Sequence, residues 1–263
     1  MKIALMDSGI GLLPAAAAVR RLRPDADLVL SSDPDGMPWG PRTPEDLTER
    51  ALQVARAAAA HAPEALIVGC NTATVHALPA LRAALEPGIP VIGTVPAIKP
   101  AAARGGKVAI WATPATTGSP YQRALIRDFA EGVDVTEVPC PGLADAVQWA
   151  DEEAIARTVA AAAALTPDDV TDVVLGCTHY ELVEDAVRDA LRLRTGGAPL
   201  TFHGSADAVA TQALRRLGIE ADPEAPATGS LTVLLSSRPS ALPSEALTYT
   251  EGRFLTPQPA RTA

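Results

Sequence analysis

The chain has 263 residues, of which 48% are hydrophobic and 3% aromatic, and its formal net charge at pH 7 is −9. This length and composition predict a globular protein of one or two domains, with a core filled mainly by Ala, Val and Leu. The acidic balance argues against a nucleic-acid partner, which requires a basic face, and no apolar run is long enough to span a membrane.

Short apolar runs alternate with Ala-rich segments of helical character, which predicts an α/β fold with mainly parallel sheets flanked by helices. Strands are predicted at 3–6, 28–30, 66–68, 90–93, 108–111, 133–138, 173–175, 200–202 and 231–235, the last being the final strand. Helices are predicted at 12–22, 44–61, 73–85, 121–130, 144–164 with a break near 149–151, 180–193 and 206–217. The tail, 256–263, is predicted to be disordered.

The chain begins with a short apolar segment followed at once by an acid, which is too short for a signal peptide, so we expect a cytoplasmic protein with reduced thiols. Its three cysteines, Cys70, Cys140 and Cys177, cannot all pair internally. A free thiol in a reducing compartment is a buried small hydrophobe, a metal ligand, or a nucleophile or base.

Two stretches, 64–74 and 172–180, share the order acid, apolar run, glycine, cysteine and small polar residues. This repetition predicts two similar domains, each presenting one thiol at the end of a strand. The predicted domains are 1–97 with 206–255, and 98–205. Ligands of open α/β sheets bind outside the carboxyl ends of the strands, so an active site is expected in the interdomain cleft.

The polar residues beside these cysteines and the long loop at 31–44 are further candidates for function. Asn71 and Thr72 are predicted to cap the helix that follows Cys70. Trp39, in the loop, is interpreted either as a lid over a substrate or as ordinary loop packing, and the lid is preferred. Cys140 is interpreted as structural, because only Pro and Gly follow it.

Together these motifs resemble the glutamate racemase family of the aspartate/glutamate racemase superfamily, over about residues 2–215. The matching motifs are Asp7-Ser8-Gly9, Pro38-Trp39-Gly40-Pro41-Arg42, Cys70-Asn71-Thr72-Ala73-Thr74, the threonines and serine at 113, 116 and 119, Cys140-Pro141, and Cys177-Thr178-His179-Tyr180. The resemblance implies two α/β domains around one active site, a small amino-acid substrate and no cofactor, and it suggests a homodimer.

The resemblance also implies the roles of individual residues. Cys70 and Cys177 would remove and deliver the α-proton from opposite faces of glutamate, assisted by Asp7 and His179, and the product would enter peptidoglycan. The residues implied to hold the amino acid are Ser8, Trp39, Gly40, Asn71, Thr72, Thr116 and Thr178. The chemistry is reasonable in itself, because a free thiol has a pKa of about 8.5 and a neighbour can set its charge near neutral pH.

The sequence departs from the family pattern at several positions. The departures are Leu12 for a second glycine, Trp39 for Tyr, Gln148 for Glu, Glu181 for Pro, and His203-Gly204-Ser205 for Asp-Ser-Gly. Two alternatives therefore stay open. One is a superfamily enzyme for another substrate, such as aspartate or a specialised metabolite. The other is a binding or inhibitor protein that has lost catalysis.

Three other chemistries are disfavoured by the sequence. A zinc site at Cys70, Cys177 and His179 lacks the close Cys-x-x-Cys pair of such sites. Pyridoxal-phosphate chemistry needs a lysine beside a phosphate-binding turn, and Lys99 lies only loosely near one. The turn after the first strand lacks the third glycine of a dinucleotide-binding motif.

Overall fold

The computed structural model describes residues 1–256, in which ten strands and ten α-helices alternate for most of the chain. The strands are β1 (Lys2–Asp7), β2 (Asp27–Ser32), β3 (Ala65–Val68), β4 (Val91–Gly93), β5 (Val108–Ala112), β6 (Val135–Pro139), β7 (Asp172–Leu175), β8 (Thr201–His203), β9 (Leu231–Leu235) and β10 (Arg238–Ser240). The helices are α1 (Leu13–Leu22), α2 (Pro44–Ala59), α3 (Asn71–Leu85), α4 (Ile98–Ala102), α5 (Pro120–Phe129), α6 (Leu143–Gln148), α7 (Glu152–Leu165), α8 (Glu184–Arg194), α9 (Ala206–Leu217) and α10 (Thr250–Leu255).

The strands form two separate sheets, so the predicted α/β fold class is confirmed. The larger sheet has the order β10-β9-β2-β1-β3-β4 and the smaller has the order β6-β5-β7-β8. All pairings are parallel except that of β9 with β10. The first sheet thus takes its strands from both ends of the described chain and the second from its middle, as the predicted domains require. The domain boundaries themselves stay a prediction.

Strand β3 shows why the central strands lie between two layers of helices. All four of its residues are buried, and they alternate between two hydrophobic clusters. Ala65 and Ile67 pack on the side of α1 and α9, whereas Leu66 and Val68 pack on the side of α2 and α3. A strand covered on both faces is a continuous apolar run, and for this reason the sequence identified it readily.

Three parts of the predicted element order were wrong. The helix predicted at 180–193 begins only at Glu184, because Thr178–Val183 form a 3-10 turn. Strand β9 is not the last, since β10 follows it through a hairpin in which Ser236 and Ser237 have positive φ. The short helices α4 and α10 were not predicted, because five and six residues are too few to show a helical period.

Two other expectations concern the ends of helices. The break near 149–151 is confirmed, since α6 ends at Gln148, α7 begins at Glu152, and Ala150 between them has a φ of 50°. The tail predicted to be disordered begins at Thr256, which instead bonds to Gly252 at the end of α10. Residues 257–263 lie outside the described residues.

Candidate active site

A cavity of about 700 Å³ lies where the carboxyl ends of the two sheets meet. All eleven predicted site residues line it: Asp7, Ser8, Trp39, Gly40, Cys70, Asn71, Thr72, Thr116, Cys177, Thr178 and His179. Asp7 is the last residue of β1, and the others come from the segments that follow β1, β2, β3, β5 and β7. The structure therefore brings the predicted residues together at one place, and their chemical roles remain predictions.

Cys70 connects β3 to α3. It is the N-cap of α3, because its sulfur accepts the N–H of Ala73 at 3.5 Å, and the prediction that Asn71 and Thr72 cap this helix was wrong. The start of a helix stabilises a thiolate. Burial nevertheless raises the pKa of the Cys70 thiol well above its ordinary value, and the Asp7 carboxylate raises it further.

Cys177 occupies the equivalent place in the second sheet, after β7. Its sulfur lies 4.0 Å from Nδ1 of His179, within the 3-10 turn that follows. Burial raises the pKa of the Cys177 thiol to about 12, while the backbone N–H of His179 opposes the rise and the charge of Asp7 adds to it. Each thiol thus has an ionisable partner of its own, Asp7 for Cys70 and His179 for Cys177, and the charge of Asp7 also acts on Cys177.

Gly11 allows the two halves of the site to approach each other. A Cβ on Gly11 would lie 2.5 Å from His179 Nδ1, 2.5 Å from Thr178 Oγ1 and 2.6 Å from Asp7 Oδ2. Any two of these three atoms therefore lie within about twice the Cβ distance of each other. Leu12, the departure beside Gly11, is buried in the core and does not line the cavity.

His179 is held by a residue that the sequence analysis noted only as a departure. Its Nε2 lies 3.1 Å from Oε1 of Gln148, and the same oxygen accepts the backbone N–H of Ile10 at 2.9 Å. Burial lowers the pKa of His179, against the opposing charges of Asp7 and Asp145. His179 is therefore favoured as a neutral imidazole.

Trp39 lines the cavity and packs into the core, which supports its alternative interpretation as loop packing, while its role as a lid stays a prediction. Its side chain is buried in the hydrophobic cluster between the first sheet and helices α2 and α3. Its indole N–H donates to Oδ2 of Asp33 at 3.0 Å, and Arg50 pairs with the same oxygen. The indole N–H is consequently engaged, so the side chain of Trp39 offers a substrate only the surface of its ring.

Several residues that line the cavity were missed or set aside by the sequence analysis. Asp145 lies one helical turn before Gln148 on α6, and this i, i+3 spacing was the signal that could have found it. Cys140 also lines the cavity, but it is buried and donates its thiol to the Val138 carbonyl. Trp149 lies at the margin with 58% of its surface exposed.

The cavity lining restricts the chemistry that the site can perform. Among the residues of 1–256 that line it there is no lysine or arginine, so an anionic ligand must be held by hydroxyls, amides and backbone N–H groups. The same described range contains no group of three or more His, Cys, Asp or Glu arranged to hold a metal ion. Nor does any helix in it have the length and apolarity to cross a membrane.

Two sheets that present one thiol each to a shared cavity suit an isomerase that moves a proton between the faces of a carbon atom. Comparison with known proteins supports this class. The family model described as Asp/Glu/Hydantoin racemase matches residues 13–213. The chain therefore belongs to the Asp/Glu/Hydantoin racemase family, and the resemblance noted in the sequence is confirmed.

Individual relatives agree with this assignment to an isomerase family. The chain is 34% identical to a glutamate racemase of Pseudomonas entomophila over 82% of this chain and 81% of the relative. It is 38% identical to a glutamate racemase of Roseiflexus sp. over 71% of this chain and 70% of the relative. The crystal structure of Escherichia coli glutamate racemase with L-glutamate and the activator UDP-MurNAc-Ala is similar with a TM-score of 0.77 and 26% identity, covering 94% of this chain and 91% of that one.

Proposed function

We propose that the protein is a cofactor-independent racemase that interconverts L- and D-glutamate through two thiols. The observation that carries the proposal is the placement of Cys70 and Cys177 after β3 and β7, so that one thiol from each sheet lines the same cavity. The choice of glutamate follows the names of the relatives, since the cavity itself identifies only a small amino acid.

In this mechanism one cysteine acts as base and the other as acid. The thiolate removes the α-proton, and the opposite thiol delivers its own proton to the other face of the carbanion. The two cysteines thereby exchange protonation states in each turnover. Because burial raises the pKa of both thiols, a neighbour must first take the proton of the thiol that acts as base, and Asp7 beside Cys70 and His179 beside Cys177 are the groups placed to do so.

Polar groups without charge would hold the substrate. The start of α3 and the 3-10 turn after Cys177 direct backbone N–H groups toward the cavity end of the strands, where they can stabilise a carboxylate and the carbanion that forms beside it. The hydroxyls of Thr113 and Thr116 lie 3.1 Å apart, and this bond orients Thr116. Ser8, Thr72 and Thr178 complete the predicted set.

The cellular setting is part of the same proposal. We place the enzyme in the cytoplasm, where its three free cysteines stay reduced, with D-glutamate supplied to peptidoglycan and a homodimer as the assembly. Sedimentation of the purified chain tests the dimer.

Incubation with each glutamate enantiomer in deuterated water tests the proposed activity. The purified protein should place deuterium at Cα while the optical rotation of either enantiomer decays to zero. Absence of Cα exchange with both enantiomers of glutamate and aspartate would contradict the proposal and favour a binding or inhibitor protein.

One observation favours a second candidate, a racemase of the same family with another substrate. Asp145 and Asp7 place two carboxylates around a cavity whose described lining has no lysine or arginine. A substrate with a neutral side chain would meet less repulsion there than glutamate does. Chiral separation across a panel of acidic and neutral amino acids discriminates the two, because a wide margin for glutamate would exclude the alternative.

A further inference from the structure

The orientation of the Gln148 amide is determined by a backbone group. Its Oε1 accepts the N–H of Ile10 at 2.9 Å, and this contact is buried. A backbone N–H can only donate, so the atom that faces it must be the oxygen of the amide and not its nitrogen. Gly9 makes this approach possible, since a Cβ on Gly9 would overlap Oε1.

The same oxygen determines where His179 carries its proton. Oε1 lies 3.1 Å from Nε2 of His179, and an amide oxygen has no proton to donate. Nε2 must therefore carry the proton that makes this hydrogen bond. In a neutral imidazole the other nitrogen is then without a proton. That nitrogen, Nδ1, is the one that lies 4.0 Å from the sulfur of Cys177.

We propose that Gln148 is a positioning residue that holds His179 in the tautomer protonated on Nε2, so that Nδ1 is free to accept the thiol proton of Cys177. This inference rests on the proposed function, in which Cys177 is one of the two acid–base groups. The S–H bond of Cys177 breaks and an Nδ1–H bond forms, giving a thiolate beside an imidazolium. In the opposite direction of turnover Cys177 delivers its thiol proton to the carbanion, and the imidazolium then returns the proton from Nδ1 to the sulfur, so no other reactant is required.

The charges around His179 explain why the amide of Gln148 acts differently from a carboxylate at the same position. The charged groups that face His179 are Asp7 at the end of β1 and Asp145 on α6, with the Cys177 thiol on its own segment. Both carboxylates favour the imidazolium, but burial outweighs them and lowers the pKa of His179. Gln148 orients the ring without adding a third negative charge, so the imidazole stays neutral until it receives the proton.

The arrangement also depends on contact between the two halves of the chain. Ile10 follows β1 of the first sheet, whereas α6 and His179 belong to the segments around the second sheet. Gln148 thus receives one hydrogen bond from each side of the cleft region. The tautomer is fixed only while the turn after β1 contacts α6.

Nitrogen NMR of protein labelled with 15N-histidine measures the tautomer without reference to any substrate. The chain has four histidines, and the signal of His179 is identified by its loss in His179→Gln. We expect a protonated Nε2 and a bare Nδ1 in the unmodified protein. Gln148→Met should remove this preference and lower kcat/KM by about 100-fold, within the range of general acid–base catalysis.

Two further variants make the test specific. Gln122→Met is the matched control, because Gln122 is a buried glutamine of α5 that does not line the cavity, and it should change neither readout. Gln148→Glu keeps an acceptor for both donors and so preserves the fold if Gln148→Met does not. Its added charge should raise the pKa of His179 and move the acidic limb of the kcat/KM profile to higher pH, because the base must be neutral to act.

The outcomes separate the inference from the proposed function. Two results together would support the tautomer and refute the proposed function: His179 is protonated on Nε2 only when Gln148 is present, and the protein racemises no amino acid. A His179 protonated on Nδ1 in the unmodified protein would overturn the inference, as would an unchanged tautomer in Gln148→Met or an unmoved pH profile in Gln148→Glu.

Discussion

The side chain of Asn71 donates from Nδ2 to the backbone carbonyl of Gly176 at 2.8 Å, in a buried hydrogen bond. Asn71 follows Cys70 and Gly176 precedes Cys177, so the bond joins the two thiol-bearing segments directly. A residue predicted to contact substrate therefore also sets the spacing between the two sides of the cavity. Its Oδ1 has no hydrogen-bond partner among the described residues.

Removal of this bond should destabilise the fold and impair the site together. Asn71→Ala leaves the buried Gly176 carbonyl unpaired, which we expect to cost about 1–3 kcal/mol in the free energy of unfolding. Chemical denaturation measures this loss, and kcat/KM for glutamate should fall as well. Thr94→Val is the control, since it removes a buried bond to the Val68 carbonyl within the first sheet and should lower stability alone. Equal activity losses in the two variants would contradict the interpretation.

Gly11 should not tolerate any side chain. Its Cβ would lie within 2.6 Å of atoms from Asp7, Thr178 and His179, closer than real Cβ atoms approach. Overpacking of this kind costs about 1–3 kcal/mol, and here it would also displace three predicted site residues. Gly11→Ala should therefore show a lower Tm and a loss of activity. Gly88→Ala is a suitable comparison, because the nearest atom to its Cβ would be 3.5 Å away, and it should behave as the parent does.

The buried thiol of Cys140 should make stability depend on alkaline pH. Burial raises its pKa from 9.0 to about 12 in the folded chain, so above pH 9 the folded state binds more protons than the unfolded state. The free energy of unfolding must then fall as pH rises, by up to about 1.4 kcal/mol per pH unit for this group. Denaturation series between pH 7 and pH 10.5 should show a steeper loss in the parent than in Cys140→Ala. Parallel slopes would show that Cys140 does not titrate as its burial requires.

The sequence could predict most of the fold and the cavity residues because their signals are local. The apolar runs of β3 and β7 end in glycine and cysteine, and the carboxyl ends of parallel strands carry sites by general rule. The roles of Asn71 and Trp39 could not be predicted, since each depends on a partner from elsewhere in the chain. Asn71 bonds across the cleft and Trp39 bonds to a carboxylate fixed by Arg50.

Two departures from the family pattern prove to be one structural change. Glu181, which replaces a proline, accepts hydrogen bonds from the backbone and hydroxyl of Ser205 and from the N–H of Ala206 at the start of α9. Gly204 leaves room for it, because a Cβ there would lie 2.5 Å from Glu181 Oε2. Glu181 and the altered 203–205 segment thus belong together. Their separation in the sequence concealed this, and neither lines the cavity.

The most direct test of the two-thiol account compares Cα deuterium exchange in Cys70→Ala and Cys177→Ala with each glutamate enantiomer in deuterated water. Neither variant should racemise glutamate, but each retains one thiol that can remove and return a proton on a single face. We therefore predict a crossed pattern, in which one variant exchanges only L-glutamate and the other only D-glutamate, both with retention of configuration, while Cys140→Ala racemises as the parent does. Exchange of the same enantiomer by both cysteine variants, or racemisation by either, would contradict the claim that Cys70 and Cys177 act on opposite faces of one carbon atom.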